Sequence, residues 1–166
     1  MSLKRITTDI AKLVLNDYKV DHSDDPTEII VKFYGPKDSP YETGIWDIRV
    51  GFSKDYPYKS PSISFIQRIY HPNICESSGA VCLDVINQTW TPMYDLYNIF
   101  DIFLPQLLMY PNESDPLNPD AASVKISNPT LYNKYVKQYI EEYCLFDDYS
   151  IDSVSDNESE LSDLSI

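Results

Sequence analysis

Positive charge is scarce in this chain and missing from its middle. Of 166 residues 13 are lysine or arginine, against 26 aspartates and glutamates, and none of the 13 falls between Ile69 and Val124. A phosphate backbone demands a cationic face, so nucleic acid is excluded as the expected ligand and basic partners are favoured instead. Cysteine is scarce too. Three is an odd number that fits no disulfide framework, and the expected setting is the reducing cytosol or nucleus. No apolar run approaches a membrane span. The stretch Met1–Leu15 is not a basic region followed by an apolar one, so neither an anchor nor a leader is expected there.

The same scarcities narrow the chemistry. With two histidines, His22 and His71, a cysteine–histidine ion pair has few ways to form, and the local signatures of papain-like proteases are absent. Zinc bound by His71, Cys75 and Cys82 would lack a fourth ligand at compact spacing. A cysteine phosphatase would need an arginine cradle after its thiol, and this chain offers none there.

What is present reads as one domain, large enough to bury its own core. Ile6, Ile10, Leu13 and Val14 recur at helical spacing over residues 2–18, with Ser2 as cap and Lys4, Arg5, Asp9 and Lys12 assigned to the other faces. Turn-rich residues from Asp21 to Pro26 lead into three strand-like runs, Glu28–Tyr34, Gly44–Phe52 and Ser62–Ile69. In the second, Trp46, Ile48, Val50 and Phe52 alternate with polar or small residues. Short, Pro- and Gly-punctuated connections point to an antiparallel meander. Residues 70–95 lack a sustained period. Leu96, Ile99, Phe100, Phe103, Leu104, Leu107 and Leu108 then mark a central, largely buried helix, which Pro105 is expected to kink or break. A Pro-rich connector leads to a short helix over 120–126. Asn128-Pro129 then caps and opens a last helix striped by Tyr132, Tyr135, Val136, Tyr139, Ile140 and Tyr143. Helix, meander, loop and helices make an α+β domain.

The candidate site lies between Tyr70 and Met93. Asn73 stands a short irregular loop upstream of Cys82, which is reached through a Gly-containing turn and followed by Leu83 and Asp84. A thiol with an amide nearby is the minimum kit for acyl transfer through sulfur. Without a cation in this stretch to draw out a thiolate, the thiol suits exchange with an already activated acyl group. The resulting thioester is open to attack by an amine, which needs an oxyanion donor such as Asn73 and a carboxylate to orient the ammonium. A capped turn in which His71 and Asn73 simply bond to backbone is the plainer reading of those two residues. Cys75 is read as incidental.

The ordered set Asp55-Tyr56-Pro57-Tyr58-Lys59-Ser60-Pro61, Tyr70-His71-Pro72-Asn73, Gly79, Cys82-Leu83-Asp84, Trp90, Pro92 and Asp115-Pro116-Leu117 resembles the ubiquitin-conjugating enzymes over roughly residues 1–145. The wording F-Y-G-P, V-C-L-D-V-I-N-Q-T-W-T and L-P-Q-L-L-M-Y-P-N is most like the H-type members, which also end in an acidic tail. The resemblance implies the family fold: an N-terminal helix, a four-stranded antiparallel meander, an active-site loop, a central helix and two C-terminal helices. It implies that Cys82 takes ubiquitin from the activating enzyme as a thioester and passes it to substrate lysines, with or without a ligase. Asn73 would steady the oxyanion or its loop. Asp115 would position and deprotonate the lysine on a gate lined by Leu117, and Asp84 would flank the site.

Lys4 and Arg5 match positions that contact the activating enzyme and ligases. Tyr58, Pro92 and Met93 match a ligase-docking surface, of RING type, and the helix around Ile102 and Gln106 would hold donor ubiquitin. No metal or nucleotide is implied for this chain, since ATP is consumed upstream. Two intervals, Asn73 to Cys82 and Trp90 to Leu107, are each one residue longer than in the commonest members. The rival readings are a conjugating enzyme for another ubiquitin-like modifier, a catalytically silent binding module of the same fold, and a cysteine hydrolase.

The core is assigned to 1–146 and a disordered tail to 147–166. That tail carries seven acidic residues (Asp147, Asp148, Asp152, Asp156, Glu158, Glu160 and Asp163) and no basic ones. Ser153 and Ser155 each precede an acid by three residues, a pattern for acidophilic-kinase phosphorylation.

Overall fold

The computed structural model describes residues 2–145; the expected tail and its serines lie outside them. Helix α1 (Leu3–Leu15) begins where the Ser2 hydroxyl accepts from the Arg5 N–H at 3.3 Å, as the capping pattern predicts. Strands β1 (Val20–His22), β2 (Glu28–Tyr34), β3 (Ile45–Gly51) and β4 (Ser62–Phe65) form an antiparallel sheet in the order 1-2-3-4. The first strand, expected from the family resemblance but not from periodicity, overlaps the start of the stretch read as turn from Asp21 on. Three residues are too short to show alternation, and the strand exists by pairing Val20 with Val31 and His22 with Ile29.

Register places one apolar face opposite the helices. Ile29 pairs with Val50, Val31 with Ile48, Phe33 with Trp46, Ile48 with Phe65 and Val50 with Ile63. All of these are buried. The third run stops at Phe65, short of the predicted Ile69. There the Ile66 N–H turns back to the Asp47 carbonyl (2.9 Å) and the Gln67 side chain accepts from the Asp47 N–H (2.7 Å).

The central rod crosses this face as α3 (Leu96–Asn98), a π segment (Ile99–Phe103) and α4 (Leu104–Met109), with helical dihedrals through both junctions. Pro105 does not break it. Just before the proline, the Leu104 N–H reaches back five residues to the Ile99 carbonyl. The widened turn spares the proline ring the clash with a carbonyl four residues earlier. Leu96, Ile99, Phe100, Leu104 and Leu108 are at most 1 % exposed, and the Phe100 ring lies 6.3 Å from Phe33. Truncating one of the leucines to alanine would cost about 2–5 kcal/mol.

Helix α5 (Pro119–Ser127) is capped by Asn118, and α6 (Pro129–Tyr143) by Asn128. Tyr132, Val136 and Ile140 of α6 are buried. At its start the Tyr132 hydroxyl meets that of Tyr41 at 2.5 Å, and Tyr41 donates to the Tyr70 carbonyl. Among the described residues no helix is long and apolar enough to cross a membrane.

Candidate active site

A second short helix, α2 (Leu83–Asn87), follows Cys82 directly. The sequence showed no period over this region because α2 is one turn and its neighbours are isolated bridges, Ile74 with Val81 and Ser64 with Ala80. The chain reaches the bridge through a turn closed by the Gly79 N–H on the Cys75 carbonyl (2.9 Å). Gly79 has φ +74°, and a Cβ there would stand 1.9 Å from the Phe65 carbonyl oxygen. Only glycine fits both demands.

This turn returns Cys82 alongside Asn73: the Cys82 N–H donates to the Asn73 carbonyl at 2.9 Å. The thiol is half-buried and unpaired. Asn73 itself is fully buried. Its Nδ2–H donates to the Asn112 carbonyl (2.6 Å), and its Oδ1 accepts from the Asn112 N–H (2.8 Å). The Asn73 side chain is therefore a two-point clamp on the loop after α4. The far end of that loop is tied to the neighbouring residue, where the Asn118 N–H donates to the Pro72 carbonyl at 3.0 Å. Lys125 of α5 adds a salt bridge to Glu113 at 2.7 Å. Between these ties Asp115, Pro116 and Leu117 form the apex. Asp115 is exposed with φ +52°, and Leu117 is 45 % exposed. One dipeptide, Pro72-Asn73, thus joins the thiol to both ends of the gate.

His71 keeps that dipeptide in place. Its Nδ1 accepts from the Asn73 N–H (3.0 Å), and its Nε2–H donates to the Leu107 carbonyl (2.8 Å). Burial holds its pKa down at about 4, with a smaller push from Lys125 and some opposition from the Leu107 carbonyl. With both ring nitrogens engaged, the ring is not a base for Cys82. Asp84 is exposed in the first turn of α2. A groove lined by Val85, Gln88, Phe103, Gln106, Tyr110 and Asn112 runs between α2 and α4 to the gate. Gln106 thus borders the site, and Ile102 is 42 % exposed on the same rod.

The other two thiols differ. Hydrogen bonds from Ser77, then Ser78, draw the half-buried Cys75 thiol down to about 6, whereas burial lifts Cys144 to about 11. Among the described residues no cluster of three or more His, Cys, Asp or Glu could hold a metal.

At the other end of α1, two predicted placements change. Asp9, assigned to an outward face, is buried and accepts the Tyr56 hydroxyl together with the Arg5 guanidinium. Arg5 is half-buried and bonded to the neighbouring loops rather than standing free. Its Nη1 donates to the Pro92 carbonyl (2.6 Å), its Nη2 to the Tyr94 carbonyl (2.8 Å) and its Nε to Asp9 (3.0 Å). The Trp90 indole N–H donates to the Pro57 carbonyl at 2.9 Å. These bonds fasten two loops side by side. On them Tyr58 and Met93 are 81 % and 92 % exposed and Pro92 is exposed, with Lys4 exposed on α1. Partners this distant in sequence leave no periodic signal, which is why Asp9, Tyr56 and Trp90 were missed as supports of that surface.

The ubiquitin-conjugating enzyme family model matches residues 3–140. The chain belongs to the ubiquitin-conjugating enzyme family. It is 56 % identical over 148 residues to ubiquitin-conjugating enzyme E2-23 kDa of Triticum aestivum, covering 89 % of this chain and 80 % of that protein. It is 48 % identical over 163 residues to ubiquitin-conjugating enzyme E2-24 kDa of Saccharomyces cerevisiae, covering 98 % of this chain and 75 % of the yeast protein. The solved E2 domain of a Toxoplasma gondii ubiquitin conjugating enzyme superposes with a TM-score of 0.76 at 26 % identity, over 86 % of this chain and 98 % of that one. The conjugating-enzyme fold expected from the motifs is the fold found.

Proposed function

We propose that this enzyme receives ubiquitin from the activating enzyme as a thioester on Cys82 and transfers it to substrate lysines. The observation that carries the reading is the Pro72-Asn73 dipeptide, which binds the Cys82 amide on one side and both ends of the gate on the other. An unpaired, half-buried thiol is accessible to a large acyl donor. The thiolate attacks the activated thioester carbonyl, and the activating enzyme's sulfur leaves. The lysine amine later attacks the Cys82 thioester, the amide bond forms, and the Cys82 thiolate departs. Asp115 orients the lysine ammonium and takes its proton, Leu117 shields the approach, and Asp84 adds negative charge beside the thiol. Asn73 works by fixing the gate, since its amide is engaged by Asn112. The donor ubiquitin rests against Ile102 and Gln106.

The same reading makes Tyr58, Pro92 and Met93, with Lys4, the surface for the activating enzyme and a RING-type ligase. Arg5 contributes by shaping that surface. The chain itself uses no metal or nucleotide, and it works in the cytoplasm or nucleus. A charging reaction with activating enzyme, ATP and ubiquitin, run with and without reductant, tests the carrier. A reductant-sensitive adduct is expected in the parent, none in Cys82→Ala, and a reductant-resistant ester in Cys82→Ser. An adduct only with another ubiquitin-like modifier would replace ubiquitin in this reading. An adduct that survives in Cys82→Ala would overturn the assignment of the thiol.

A further inference from the structure

The gate's near end has an obvious clamp in Asn73. Its far end hangs on Asn118, a residue 7 % exposed whose four polar groups are all in use, its carbonyl accepting from the Ala122 N–H at 3.2 Å. The Asn118 N–H donates to Pro72, Oδ1 accepts from the Ala121 N–H as the cap of α5 (3.1 Å), and Nδ2 faces Glu76 Oε2 at 3.4 Å. The other oxygen of Glu76 accepts a short 2.7 Å bond from the Tyr139 hydroxyl on α6. The Cys75–Gly79 turn projects Glu76 into this place. A residue of the active-site loop is thereby braced on the last helix and holds the residue where the gate ends.

We propose that Glu76 is a positioning residue for aminolysis: braced by Tyr139, its carboxylate fixes Asn118 and so sets where the Asp115–Leu117 apex stands. The inference rests on the proposed roles of Cys82 and the gate. Asn118 cannot turn its amide over to suit another partner, because Oδ1 is committed to the α5 cap. A substituent at 76 must therefore accept from Asn118. Alanine offers nothing. Glutamine keeps both contacts, with Oε1 toward Asn118 and Nε2–H donating to the Tyr139 hydroxyl, which is free to become the acceptor. Tyr139→Phe leaves the Asn118 contact but removes the brace.

The test uses the full chain, charged with ubiquitin and then chased with free lysine over a range of concentrations. Charging of Cys82 is measured first in every variant. Glu76→Ala should charge at the parental rate and discharge to lysine about fivefold more slowly, as loss of a partly exposed charge-assisted hydrogen bond suggests. The loss should lie in the maximal rate rather than in the lysine concentration for half-rate. Glu76→Gln should recover to within about twofold, and Tyr139→Phe should fall between. Parental discharge in Glu76→Ala would overturn the proposal. So would Gln as slow as Ala, which would mean that charge and not placement matters. Charging and discharge falling together would also overturn it, as general damage to the fold. A parent that fails to charge at Cys82 would instead refute the proposed function.

Discussion

Lowering the pH from 7 to 5 should weaken the folded state by about 2 kcal/mol through one buried ring, His71. The ring is 0 % exposed, and its pKa is about 4 in the fold against 6.5 as the ordinary value. The unfolded chain takes up a proton as the pH drops through 6.5, whereas the folded chain declines it until about 4. The stabilisation is thus fully present above 6.5 and is lost progressively as the pH falls toward 4. At ~1.36 kcal/mol per pH unit the whole window is worth roughly 3 kcal/mol, of which about 2 is gone by pH 5. Most of that interval lies above the carboxylate range, so acid groups contribute little to it.

Urea unfolding at the two pH values measures the effect. With a slope of about 1–3 kcal/mol per molar, the midpoint should move down by roughly 1 M. An NMR titration of the His71 ring protons checks the same ring directly. A His71 ring titrating near 6.5, or equal stability at pH 7 and pH 5, would refute the argument. Either would also reopen a base role for this ring, because a histidine that charges easily is not locked between Asn73 and Leu107. Protonation would set Nδ1–H against the Asn73 N–H, so the clamp on the gate should loosen in the same window.

Other outcomes follow from the same geometry. Arg5→Ala should lower stability by about 1–3 kcal/mol and slow ligase-stimulated discharge. Arg5→Lys should not restore either, because one ammonium cannot serve Asp9, Pro92 and Tyr94 at once; thermal melts and a ligase assay decide it. Asn73→Ala leaves both backbone groups of Asn112 without partners, so about 1–3 kcal/mol should be lost in denaturant titrations, while charging of Cys82 persists and lysine discharge slows. Brief alkylation at pH 7 followed by peptide mass spectrometry should label Cys75 well ahead of Cys144, since one thiol is drawn down to about 6 and the other lifted to about 11. Cys75→Ser should still charge.

The fold was legible wherever a period persisted. Trp46, Ile48 and Val50 announce β3 by alternation, and the Leu96–Leu108 stripe announces the central rod. Ser2 and Asn128 mark helix starts by side chains that bond locally. Legibility ended where a residue's partner lies far along the chain. Asp9 and Arg5 look like solvated charge on α1, and only the folded loops at Tyr56, Pro92 and Tyr94 explain them. The form of the response at Pro105 was hidden for a related reason: it depends on how the preceding turn is wound, which composition does not encode. At the site, Cys82 and Asn73 could be picked out by residue type and spacing. That the Asn73 amide is engaged by Asn112, and that Asn118 leans on Glu76, required the loops to be in place.

The wide turn at Ile99–Phe103 also bears on how this chain tolerates changes of length. Adding one residue to an α-helix turns everything beyond it by about 100°, which would swing half of a buried stripe into water. A π segment takes up such a surplus within a single turn. Leu96 before it and Leu108 after it both remain buried. A residue gained between Trp90 and Leu107 can therefore be absorbed here without a change of phase in the core. Slack of this kind is removable: deleting the exposed Asp101 together with Pro105→Ala should give a plain α-helix with both ends still seated. The same one-residue deletion within α6 would rotate Tyr132 away from Val136 and Ile140.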